Sequence, residues 1–125
     1  MKVLKFGGTS VANSESISNV ISILNNNRND NLLIVVSALG GITNLLQECL
    51  SHKGKSTENI INKIEERHLE VINNLSDLDG QSSLKSFLKE NLNLLEDILD
   101  AISTIDEVTK KTVSKVLSLG ELLCS

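Results

Sequence analysis

Lys2-Val3-Leu4-Lys5-Phe6-Gly7-Gly8-Thr9-Ser10 is the stretch whose reading decides the fold. Lys2 to Phe6 has the length and apolar content of a short strand. Gly7 and Gly8 break it, and an amphipathic segment follows. A strand that runs through a Gly-Gly turn into a helix aims backbone N–H groups at one spot, and Lys5 arrives at the same end of the strand. Such a spot suits a phosphoryl group. The spacing is neither that of a GxxxxGK[ST] loop nor that of a GxGxxG fingerprint.

Working outward, Asn13 or Ser14 can cap a helix whose inner face is Ile17, Val20, Ile21 and Leu24. An asparagine-rich run from Asn25 to Asn31 stops it. Leu32-Leu33-Ile34-Val35-Val36 is an uninterrupted apolar run, which predicts a strand buried on both faces, as in parallel sheets. Residues 1–41 therefore read as strand, helix, strand, the βαβ unit of an α/β protein. Beyond them the pattern is helical: Ile42 to about Ser51, Thr57 to about Leu75, Ser82 to about Ser103, and a last segment capped by Asp106 and carrying Val113, Val116 and Leu117. Ser76 to Gly80 is expected to separate the second and third of these.

Two strands do not make a doubly wound sheet, and the chain stops in the apolar stretch Leu122-Leu123-Cys124. The expectation is the N-terminal piece of a larger domain.

The bulk properties exclude several classes. The 125 residues are 40% hydrophobic, which marks a globular chain, and the net charge of −4 leaves no basic footprint for nucleic acid. No apolar run is long enough for a membrane span, and no signal-peptide pattern opens the chain. The 2 cysteines, Cys49 and Cys124, lie in apolar helical contexts and read as buried free thiols. His52 and His68 show no metal-ligand spacing with them, and the acids Glu96, Asp97, Asp100, Asp106 and Glu107 read as a solvated face. A cytoplasmic protein fits these features.

A second glycine loop, Ser37-Ala38-Leu39-Gly40-Gly41-Ile42-Thr43-Asn44, follows the second strand. In a parallel sheet both loops open onto one crevice at the C-terminal strand ends, where ligands bind. The bland alternatives are an exposed lysine at position 5, two unrelated turns, and Ser37 and Thr43 serving as helix caps.

Three segments carry a family resemblance. Val3 to Asn13 (VLKFGGTSVAN), Val35 to Asn44 (VVSALGGITN) and Ser118 to Ser125 (SLGELLCS) resemble, in order, the signatures of the aspartate kinases of the amino-acid kinase superfamily. The first string is most similar to the bifunctional aspartokinase/homoserine dehydrogenase type. The resemblance implies a three-layer α/β/α fold with a mostly parallel sheet, of which residues 1–125 would form the N-terminal, amino-acid-binding part. The ATP-binding half and the regulatory domains would lie beyond. It further implies ATP-dependent phosphorylation of the L-aspartate β-carboxylate to 4-phospho-L-aspartate, in a homo-oligomer without nucleic-acid or membrane partners. Mg2+ would accompany ATP, and NADP would be used only with a fused dehydrogenase domain.

Residue by residue, the resemblance makes Lys5 the catalytic, phosphate-contacting cation. It puts Gly7, Gly8, Thr9, Ser10 and Ser37 around the phosphates. Thr43 and Glu121 would hold the substrate aspartate, with Glu121 buried opposite its α-amino group. No metal ligand is implied among these residues, and 125 residues alone are expected to be inactive. Two alternatives stay open: a superfamily member with another acceptor, and a non-catalytic piece that serves only in subunit association.

Overall fold

β1 (Lys2–Phe6) and β2 (Leu32–Val36) pair in parallel, with α1 (Ser14–Asn26) connecting them. The computed structural model describes residues 1–125, and its first third is the strand–helix–strand unit read from the sequence. Lys2 stands beside Leu32 and Phe6 beside Val36. Asn13 caps α1, its side chain accepting from the Ser16 amide at 2.9 Å. Leu4, Phe6 and Val36 pack with Val11, Val20 and Leu24, so α1 covers one face of the sheet.

The other face is open. Side chains alternate along a strand, so Val3 and Lys5 share a face with their partners Leu33 and Val35. Val3, Leu33 and Val35 are 60%, 49% and 41% exposed. The reading of β2 as buried on both faces is thus corrected. A two-stranded sheet with α1 on one side has nothing against its second side. The chain is mostly helical around this small parallel sheet.

The main core lies among α2 (Ile42–Ser51), α3 (Glu58–Leu75), α4 (Leu78–Ile105) and α5 (Lys110–Cys124). Ile42, Leu46 and Cys49 of α2 meet Ile60, Ile61 and Ile64 of α3, Leu92, Leu95 and Leu99 of α4, and Val116 and Leu119 of α5. These positions recur at helical spacing, which is why the apolar pattern was legible. Ile21, expected inward, is instead exposed, and Leu84 and Phe87 of α4 are exposed with it. They line a largely apolar cleft of about 270 Å3 between α1, α3 and α4.

Two boundaries differ from expectation. The break before α4 is short: Asp77 caps the helix, accepting from the Gly80 amide at 2.7 Å, so Gly80 belongs to the first turn. Asp106 does not cap α5. It ends α4 in the left-handed conformation (φ 59°), which aspartate tolerates, and Thr109 caps α5 by accepting from the Thr112 amide. Cys49 and Cys124 are both free thiols; Cys49 is buried as read, whereas Cys124 near the end of α5 is only half-buried. Burial pushes Cys49 up to about 11 and raises Cys124 as well.

His68, on α3, is buried. Its Nδ1 lies 2.7 Å from the Ile64 carbonyl, which can only accept, so Nδ1 carries the proton. Nε2 is then a buried acceptor without a partner. Burial lowers the imidazole pKa below its ordinary 6.5, the Ile64 hydrogen bond partly offsets this, and Arg67 lowers it further. The unfolded chain therefore binds the proton at a higher pH than the folded one. Stability attributable to His68 is complete above about pH 6.5 and is lost as pH falls through the folded value. His68→Leu is expected to flatten this acid-side loss. Urea midpoints at pH 7.5 and 5.5 check it, and an unchanged difference between the two pH values in the variant would refute it.

Candidate active site

Because β1 and β2 run parallel, the loops that leave them emerge at the same edge of the sheet. The first loop, residues 7–13, turns tightly, with the Ser10 amide donating to the Gly7 carbonyl at 3.0 Å. The second, residues 37–41, starts with the Ser37 amide donating to the Phe6 carbonyl at 3.2 Å. The loops touch where Gly40 meets Ala12: a Cβ on Gly40 would lie 3.1 Å from the Cα, Cβ and carbonyl oxygen of Ala12. A side chain at position 40 would fit only if Ala12 gave way by a few tenths of an ångström.

Between the loops is a crevice of about 490 Å3, walled by Gly8, Thr9, Ser37, Gly40, Gly41 and Thr43 among others. The sequence expectation that both glycine loops share one crevice therefore holds. Each loop has a buried anchor beneath its exposed rim. Val11 sits in the small cluster with Phe6 and Val20, and Ala38 and Leu39 sit in the main core. Exposed tips on buried anchors make a site that is shaped before a ligand arrives.

The donors of this site are free. The amides of Gly7, Gly8 and Thr9 donate to no backbone acceptor of the chain. The N-terminus of α2 adds to them. Gly41 is its N-cap, in the left-handed conformation at φ 83°, and no side chain caps the helix. Thr43 is thus the second residue of the helix and not its cap, and its hydroxyl stands on the crevice wall. Uncapped N–H groups together with the positive end of the helix dipole favour an anion. The wall residues provide hydroxyls and backbone groups but no carboxylate, so they suit phosphate rather than a metal ion. No cluster of acidic, histidine or cysteine side chains able to hold a metal is present.

Not every residue singled out from sequence lines the crevice. Lys5, exposed on β1, and Gly7 lead into the first loop, and Ser10 closes its turn. Glu121 is on α5 and exposed rather than buried. Its neighbour Gly120 is pressed against the second loop and α2, since a Cβ there would lie 3.1 Å from the side chains of Ala38 and Leu46. One participant was missed. Arg67 of α3 reaches the first loop, its Nη2 donating to the Ala12 carbonyl at 3.1 Å. No local pattern joins positions 12 and 67, so no sequence signal could have found it.

With this geometry in place, the comparisons with known proteins are decisive for the family. The sequence model of the amino acid kinase family matches residues 1–125. The chain belongs to the amino acid kinase family. Among curated relatives, it is 36% identical to an aspartokinase of Chlamydia pneumoniae over 95% of its length, covering 24% of that protein. It is 30% identical to a bifunctional aspartokinase/homoserine dehydrogenase of Buchnera aphidicola over 98% of its length, covering 16% of it.

Solved structures of the same kind superpose well on this amino acid kinase chain. Aspartokinase III of E. coli in complex with aspartate and ADP matches with a TM-score of 0.80 at 24% identity, over 98% of this chain and 26% of that one. The aspartate kinase of Clostridium acetobutylicum matches with a TM-score of 0.68 at 25% identity, over 97% of this chain and 27% of that one. The chain thus spans less than a quarter of the length of either curated relative. Monofunctional and bifunctional relatives match over nearly the same residues.

Proposed function

We propose that this chain is the N-terminal, amino-acid-binding part of an aspartate kinase, which transfers the γ-phosphoryl group of ATP to the β-carboxylate of L-aspartate. One observation carries the reading: two glycine loops with unpaired amides and an uncapped helix N-terminus meet at a single crevice at the parallel strand ends. In the transfer, a β-carboxylate oxygen forms a bond to the γ-phosphorus, the bond to the β–γ bridging oxygen breaks, and ADP leaves with that electron pair. The reaction needs positioning and charge stabilisation more than covalent help.

This division of labour fits the residues. Lys5 and the Gly7 and Gly8 amides meet charge on the transferring group. Thr9, Ser10 and Ser37 complete the phosphate side, and Thr43 and Glu121 hold the amino acid. Glu121 stands free on α5 and is available to an ammonium group. Mg2+ enters with ATP as substrate, and NADP would belong to a separate dehydrogenase domain. The open face carrying Val3, Leu33 and Val35 is where a third layer would pack in the family's three-layer fold. A cytoplasmic homo-oligomer belongs to the same proposal.

A hydroxylamine trap tests it directly. The protein expressed in full is incubated with ATP, Mg2+ and either L-aspartate or N-acetylglutamate. Hydroxamate from aspartate alone is the expected result. Hydroxamate from the acetylated acceptor alone would move the assignment to another acceptor class. None from either, with the protein folded, would overturn the kinase reading.

A further inference from the structure

We propose that Arg67 is a positioning residue of the crevice, holding the two glycine loops in register from outside the nucleotide and amino-acid contacts. The proposal rests on the crevice being the phosphoryl-transfer site. Arg67 lies in the middle of α3 and is partly buried. Its Nη2 donates to the Ala12 carbonyl at 3.1 Å, across 55 residues of sequence. Its Nη1 faces the second loop, where a Cβ on Gly41 would be 3.5 Å away. One planar guanidinium therefore bonds the end of the first loop and lies beside Gly41 at the start of α2, next to the place where Ala12 and Gly40 come close.

The choice of partner is informative. Lys63, Glu66 and Glu70 line the same recess as Arg67. The three ion pairs of the chain lie elsewhere, at Lys2–Asp30, Lys53–Asp106 and Lys55–Asp106. With two carboxylates nearby, Arg67 directs its hydrogen bond to a loop carbonyl. It also sets a cation beside the positive end of α2, where helix stability alone favours an anion. That placement adds to the positive potential at the crevice. It makes sense when the site is built to receive an anion and the loop geometry must be fixed. A fork with several fixed donors is better suited to this than an ammonium.

The test compares Arg67→Ala and Arg67→Lys in the protein expressed in full. Hydrogen exchange is followed at residues 7–13 and 37–44 and at the α3 and α4 core, alongside aspartate-dependent turnover. For Arg67→Ala we expect exchange to rise in the two loops and not in the core. Turnover should fall roughly 10²-fold, the scale set by a misplacement of about 1 Å, with KM for ATP moving far less. Arg67→Lys should recover part of both losses. Exchange that rises equally in loops and core would mean a merely structural residue. Unchanged loop exchange would overturn the proposal. The exchange readout needs no catalysis, so a wild-type protein without kinase activity would sink the functional reading and still decide whether Arg67 orders the loops.

Discussion

Replacing Lys5 with alanine is expected to lower aspartyl phosphate formation by roughly 10²–10³-fold, the cost of deleting one preorganised charge-stabilising donor. Stability should barely change. Lys5 is exposed on the open face of the sheet, and neither a hydrogen bond nor an ion pair of the chain uses its ammonium. Its backbone continues to pair beside Val35 whatever the side chain. Surface substitutions of this kind usually stay within about 0.5 kcal/mol. Loss of rate without loss of melting temperature is therefore the signature of a charge kept for chemistry. Lys5→Arg keeps the charge with a different shape and should restore only part of the rate. The measurement is hydroxamate formation set beside a thermal melt of each variant. A Lys5→Ala protein with near wild-type turnover would return Lys5 to an ordinary exposed lysine.

The same strand explains what was legible in the sequence. The apolar run Leu32 to Val36 and the glycines after each strand encode backbone conformation and local order, and both are short-range properties. The parallel βαβ unit and the shared crevice follow from them. Burial of β2 did not follow, because the exposure of Leu33 and Val35 depends on what packs against the sheet. Asp106 was misplaced for a similar reason. An aspartate before a helix and an aspartate ending one look alike in sequence, and the three-residue offset to Thr109 appears only once α4 is seen to run through Ile105. His68 shows no metal-ligand spacing in the sequence, and both its burial and its unpaired Nε2 are tertiary facts. Arg67 and Ala12 meet through the packing of α3 beside α1, a contact that no motif encodes.

Gly54→Ala is expected to cost about 2–5 kcal/mol, combining about 1–3 for overpacking with about 1–2 for left-handed backbone strain. Gly54 ends the turn after α2. Its amide donates to the Cys49 carbonyl at 3.1 Å while the Lys53 amide donates to the Leu50 carbonyl at 2.9 Å, the paired bonds of a Schellman motif. The chain adopts φ 72° there. A Cβ at this position would run into the Leu99 carbonyl oxygen and lie 2.9 Å from its carbonyl carbon. That obstacle is the backbone of α4 deep in the core, and it cannot rotate aside as a side chain would. The neighbouring ion pairs from Lys53 and Lys55 to Asp106 are 3.6 Å long and exposed, so they offer little compensation. A loss of this size is a large share of the roughly 5–15 kcal/mol that holds a domain together. Gly8→Ala is the control, because no atom lies within 4 Å of its added Cβ and its stability should be unchanged. Urea unfolding of both variants decides the matter. A Gly54→Ala midpoint close to that of Gly8→Ala would mean that the α2–α3 turn is not wedged against α4, and that the helical platform beneath the second glycine loop is held by side-chain packing alone.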